Sequence, residues 1–178
     1  MSVKINYTNK ISNKSSANLL LFADEKFSSN SLKKYLSTSE FSYIGDLLKT
    51  SDLKKNMFVF EVNSKRKIIL ISIKKDLKSF DIENLGAEFY GRINYGKNSE
   101  YFINSDSIIS KHENFTGYFL HGLKLKSYEF NKYKTKKETR LISINVLGNK
   151  NKPSIQTQLK FKALEDGIFY ARDLVSEP

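Results

Sequence analysis

The chain has 178 residues, with 30 Lys and Arg against 19 Asp and Glu and no cysteine, so its formal net charge is +11. A length of this order buries about 70% of the unfolded surface in one domain without staples, and the missing cysteines exclude disulfide, metal-thiolate and thiol-nucleophile chemistry. No apolar stretch approaches the ~20 residues of a spanning helix, and Met1 to Lys10 lack the apolar block of a secretory signal, which makes the cytoplasm the expected compartment.

In chain order, alternation at Val3, Ile5 and Tyr7 and the apolar run Leu19 to Phe22 read as two opening strands, with a polar turn over 9–16 that would make them a hairpin. Ser37 and Glu40 have capping-box spacing, and Phe41, Ile44, Leu47 and Leu48 mark one helix face. Met57 to Val62 and Lys67 to Ile73 are strands joined by a tight polar turn. The second is almost continuously apolar and is expected to be buried on both faces. Ile82, Leu85, Phe89 and Ile93 keep helical spacing, and Glu100 to Ile103 is a short strand. Ser110 and Glu113 repeat the capping-box pattern before a helix carrying Phe115, Phe119 and Leu123. Asn131 to Lys137 reads as a surface loop, and Leu141 to Val146 as a strand. From Ser154, the residues Ile155, Leu159, Ala163, Leu164, Ile168 and Val175 predict a last amphipathic helix with an apolar stripe. Strands interleaved with helices give an α/β layer structure with a mixed, mostly parallel sheet. The stripe reaches almost to Pro178, so a longer parent chain is expected to cover its end.

Catalytic motifs are sparse. His112 and His121 are nine residues apart, about 900° of helix rotation, and fall on opposite sides of one predicted helix. No Gly-x-Ser-x-Gly elbow occurs. Gly91 to Asn98 fits Gly-x4-Gly-Lys but ends in Asn where Ser or Thr would hold magnesium, and it follows a helix instead of a strand. Adjacent acids such as Glu165 and Asp166 read as solvated surface. Lysine supplies 26 of the 30 basic residues, as an AT-rich coding sequence would. One cluster stands out: Lys124 to Arg140 holds seven basic and two acidic residues, hence +5, interleaved with Tyr128, Phe130 and Tyr133. Lysines neutralise phosphates and rings stack on bases, which makes Lys124, Lys126, Lys132, Lys134, Lys136 and Lys137 candidate nucleic-acid contacts; the alternative is a helix end with a lysine-rich exit loop.

The same segment, Gly122-Leu-Lys-Leu-Lys-Ser-Tyr-Glu-Phe-Asn-Lys-Tyr-Lys-Thr-Lys, resembles the Gly-x-x-Leu-x-x-Tyr-x-Phe-Asp-x-Tyr-Lys-Thr stretch in the N-terminal domain of leucyl (cytosol) aminopeptidases. The end, Gly167-Ile-Phe-Tyr-Ala-Arg-Asp-Leu-Val-Ser-Glu-Pro178, is similar to that family's Ala-Arg-Asp-Leu-x-Asn-x-Pro helix leading into the catalytic domain. A looser likeness runs from Leu47 through Ile71. The resemblance implies a macro-domain-like three-layer α/β domain over 1–150 and a linker helix over 151–178. It implies a parent that releases N-terminal amino acids from peptides as a homo-hexamer, using two divalent metals (zinc, manganese or magnesium). The parent's Asn-Thr-Asp-Ala-Glu-Gly-Arg motif is absent, so no catalytic, metal-binding or cofactor-binding residue is carried onto this chain, which is expected to be inactive alone. Its expected partners are the parent's own catalytic domain and further copies in the hexamer. A macro-type ligand cleft would need glycine-rich loops, and Ser72 to Lys75 stand where many family members have a glycine-containing turn.

Overall fold

The computed structural model describes residues 2–8, 17–28, 31–93, 99–133, 135 and 141–177. Strands β1 (Ser2–Tyr7), β2 (Asn18–Asp24), β3 (Met57–Asn63), β4 (Arg66–Ile73), β5 (Ser99–Asn104) and β6 (Leu141–Leu147) interleave with helices α1 (Thr38–Thr50), α2 (Ser79–Ile93), α3 (Phe115–Lys126) and α4 (Ile155–Ser176). The strands form one sheet in the order β1-β6-β5-β2-β4-β3. All neighbouring pairs are parallel except the β3–β4 hairpin. This is the mixed, mostly parallel sheet of a three-layer α/β fold.

Burial explains which strands sit inside. β2 and β4 are apolar at consecutive positions and their central residues are buried on both faces, as parallel strands between helix layers require. One face packs Leu20, Phe22, Ile69, Ile71 and Ile144 against α2 and α3. Phe22 meets Phe115 and Phe119 edge-on at 5.3 Å each. The other face packs Leu19, Leu21, Ile68 and Leu70 against Ile44 and Leu48 of α1. Toward β1 that second face becomes polar: Asn6 donates to Asn145 Oδ1 at 3.0 Å, and Asn145 donates to Glu100 Oε1 at 2.7 Å, a ladder across three strands.

The capping box at α1 forms as expected, with Ser37 and Glu40 bonding reciprocally. Glu40 does a second job. Its Oε1 lies 2.6 Å from Nε of the buried Arg66, which also donates to Ala17 O at 2.7 Å, tying the start of α1 to the entries of β4 and β2. Burial raises the Glu40 carboxyl, but the Ser37 amide and the Arg66 guanidinium outweigh it and hold the group below the ordinary glutamate value.

Two expectations fail on tertiary grounds. β1 and β2 form no hairpin: β1 pairs parallel with β6, and β6 and β5 stand between β1 and β2. The half-covered alternation of β1 suits a sheet edge, whereas β2 needs cover on both faces; the turn proposed over 9–16 lies outside the described residues. No capping box forms at Ser110 and Glu113. Ser110 Oγ accepts instead from His112 N at 3.1 Å, and α3 starts after Asn114, whose φ of 58° is left-handed. His112 therefore precedes the helix that carries His121. It bonds to Ser79 Oγ at 3.2 Å, beside the start of α2. Helix α4 forms where its periodicity predicts, and its apolar stripe faces away from the core.

Candidate functional site

Several described residues of the basic segment are engaged with their own chain. Lys124 is half-buried and donates to Val3 O, while Lys132 pairs with Glu177. Tyr128 packs on Phe169 at 5.4 Å, its hydroxyl donates to Asp173 Oδ1 at 2.7 Å, and Arg172 lies over its ring while donating to Leu125 O at 2.8 Å. Lys126 is exposed. Lys134, Lys136 and Lys137 lie outside the described residues, as does the 94–98 part of the Gly91 to Asn98 motif. Tyr128 is thus a clasp holding the end of α4, closer to the helix-end alternative than to a stacking platform.

Open α/β sheets bind ligands beyond the strand carboxyl ends where the strand order reverses, which here is between β2 and β5. The chain fills part of that place itself. Ser107 Oγ accepts from Phe22 N at 2.9 Å and donates to Asn104 O at 2.6 Å. Asp106 Oδ1 accepts from the amides of Asn149 at 3.0 Å and Lys150 at 2.7 Å. Such paired amides suit a phosphate, and here they hold a carboxylate. Gly148, at φ 103°, permits the approach, since a Cβ would stand 2.7 Å from Asp106 Cγ.

A cleft rich in titratable groups lies elsewhere, between β1, α3 and α4, with a volume of about 300 Å³. His121 Nδ1 meets Glu165 Oε1 at 3.0 Å, and the two residues are only 5% and 8% exposed. The expectation that Glu165 is solvated surface is therefore corrected: Phe161 and Phe169, one turn on either side, place it on the packing face of α4. Phe161 stacks tilted against His121 at 5.0 Å and edge-on against Tyr118 at 5.1 Å. Burial pushes the Lys124 ammonium below the ordinary lysine value, with Glu165 and Asp166 pulling it back. Burial, with the Glu165 charge nearby, pushes the Tyr7 phenol up to about 12. Sequence reasoning missed this cluster because its members come from three elements. The available signal was the recurrence of Phe161, Glu165 and Phe169 every fourth residue.

The outer side of α4 faces solvent. Ile155 is 77% exposed, Leu174 58% and Val175 86%, with Leu159, Leu164 and Tyr170 also open. Glu165 is the buried residue of this helix. The apolar stripe is a surface because α4 packs through Phe161, Glu165 and Phe169 instead. Apolar patches of this kind mark interaction sites.

No protein-family model matches the chain, and no curated protein matches its sequence. Its fold does match. The chain superposes on a mutant of tomato leucine aminopeptidase with a TM-score of 0.69 and 17% identity, over 99% of this chain and 39% of that one. The fold is that of part of an aminopeptidase chain. At this identity the likeness is one of fold, and the chain spans about two fifths of the enzyme's length. Among the described residues no three His, Cys, Asp or Glu side chains assemble as a metal site would need. Among the same residues, no helix is long and apolar enough to cross a membrane.

Proposed function

We propose that this chain is the non-catalytic N-terminal domain of a two-metal leucyl aminopeptidase and that it serves assembly of the parent. The observation that carries the reading is superposition of nearly the whole chain on a minor part of an aminopeptidase. Two others support it. The segments that resemble the family, 122–136 and 167–178, touch each other through Tyr128, Phe169, Arg172 and Asp173, so the two likenesses describe one structural unit. The outer stripe of α4 offers an apolar surface that the remaining three fifths of such a parent would cover.

In this reading the metals and the reacting groups belong to the rest of the parent, and this domain binds and orients that part through α4. Hydrolysis of a leucine anilide with added manganese is the test. The 178-residue chain is expected to be inactive and the parent active. Activity in the short chain, or an inactive parent, overturns the proposal. The nucleic-acid reading draws less support, since Lys124, Lys132 and Tyr128 are engaged internally. Salt-sensitive binding to duplex DNA that disappears in Lys134→Glu/Lys136→Glu would restore it.

A further inference from the structure

The cleft between β1, α3 and α4 is separate from the outer face of α4 and plays no part in the proposal above. Its two kinds of wall define what it can take. Ile5, Leu120, Pro153 and Phe161 give an apolar surface. Around them stand two cations, Lys124 and Lys162, and two carboxylates, Glu165 and Asp166. These four charges sum to zero, so a ligand with a large net charge of either sign meets as much repulsion from them as attraction. A ligand carrying both signs on a short polar end, with an apolar body, satisfies both pairs and both walls.

We propose that this cleft is a binding site for a small apolar zwitterion, an amino acid such as leucine or a short apolar peptide. A cleft of about 300 Å³ lies at the small end of ligand pockets. The ligand's carboxylate meets the lysines, and its ammonium meets Asp166 and the rim of Glu165. Glu165 Oε1 is already spent on His121, and Lys124 spends one N–H on Val3 O, so the interior pair is held in place before a ligand arrives. Lys162 and Asp166 lie one turn apart on α4 and are exposed, which leaves them free to swing onto the ligand. The depressed Lys124 ammonium is consistent with a cation that lacks enough negative charge around it, which a ligand carboxylate would supply.

Titration calorimetry of the 178-residue chain tests this, with L-leucine as the probe and leucine amide and 4-methylpentanoate as probes lacking one charge. Saturable leucine binding is expected, with each single-charge probe about tenfold weaker, the loss of one charge-assisted contact. Lys162→Gln and Asp166→Asn, both at exposed positions that leave the fold intact by circular dichroism, are each expected to weaken leucine binding by a similar factor. The proposal is overturned if leucine gives no saturable heat up to about 10 mM. It is equally overturned if the three probes bind alike or if both variants bind leucine as the wild type does.

Discussion

Helix α3 has two neighbours, and it meets them in opposite ways. Against α2 the contact is backbone to backbone. A Cβ on Gly86 would stand 1.9 Å from Phe119 O, and a Cβ on Gly122 1.9 Å from Glu83 O, so the two glycines let the helices approach more closely than any side chain allows. Against α4 the contact runs through long side chains: His121 on Glu165, Tyr118 on Phe161, and Lys124 at the edge of a cleft. The first interface is fixed by close backbone approach. The second is polar, borders a cavity, and leaves the far side of α4 apolar and uncovered. One helix can thus be part of a rigid core on one side and a platform for ligands and partners on the other.

The largest effect that would sharpen this contrast is expected from Gly122→Ala. The added methyl collides with backbone that cannot move as a side chain would, and a loss of about 3 kcal/mol in urea unfolding is expected. A loss under about 1 kcal/mol would show that α2 and α3 are not locked as described. Next comes His121→Ala, which leaves the buried Glu165 without its partner and opens space beside Phe161. About 2 kcal/mol is expected by the same measurement, and no change would mean that the α3–α4 contact does not depend on the pair.

A smaller effect, confined to alkaline conditions, is expected from Tyr7→Phe. The folded state holds the phenolic proton more tightly than the unfolded chain, so the contribution of this group is complete below the ordinary value of 10.0 and is lost as pH rises toward about 12. The Phe variant should therefore lose less stability than the wild type between those values. Equal slopes for the two proteins would contradict the burial of Tyr7 beside Glu165. The smallest effect is expected on the outer side of α4. Leu159→Ser and Leu174→Ser should change the stability of this chain by less than about 0.5 kcal/mol, while each lowers assembly of an active parent. A large loss in the isolated chain would show that the stripe is core after all.

Much of the element list could be read directly. Alternation, capping and helical spacing marked α1, β3, β4 and α2, because each of those signals is written within one segment and tertiary contacts agree with it. The Ser110–Glu113 box failed because a spacing rule records which residues are present, while the bonds of Ser110 and His112 depend on α2 lying alongside. The α4 stripe marked the helix but not its packing face. Apolar periodicity says that a face will be covered, without saying by what. Here a second face, built on Phe161, Glu165 and Phe169, takes the position against α3.

The candidate cleft was almost invisible in the sequence. His121 and Glu165 are separated by 44 positions and Tyr7 by more than a hundred from either, and no local pattern links them. The lysine-rich segment, by contrast, was conspicuous, and of its two readings the helix-end one fits the place of Tyr128, which serves the closure of α4. What the sequence by itself determined is the set of elements, the layer class, and through two short segments the resemblance to aminopeptidases. Those features rest on local periodicity and on residue identity. The tertiary structure alone decided the strand order, the partner of each charge and the side of α4 left open. Each of those depends on free energies shared between distant segments, with burial, desolvation and close backbone approach settled only once the layers have met.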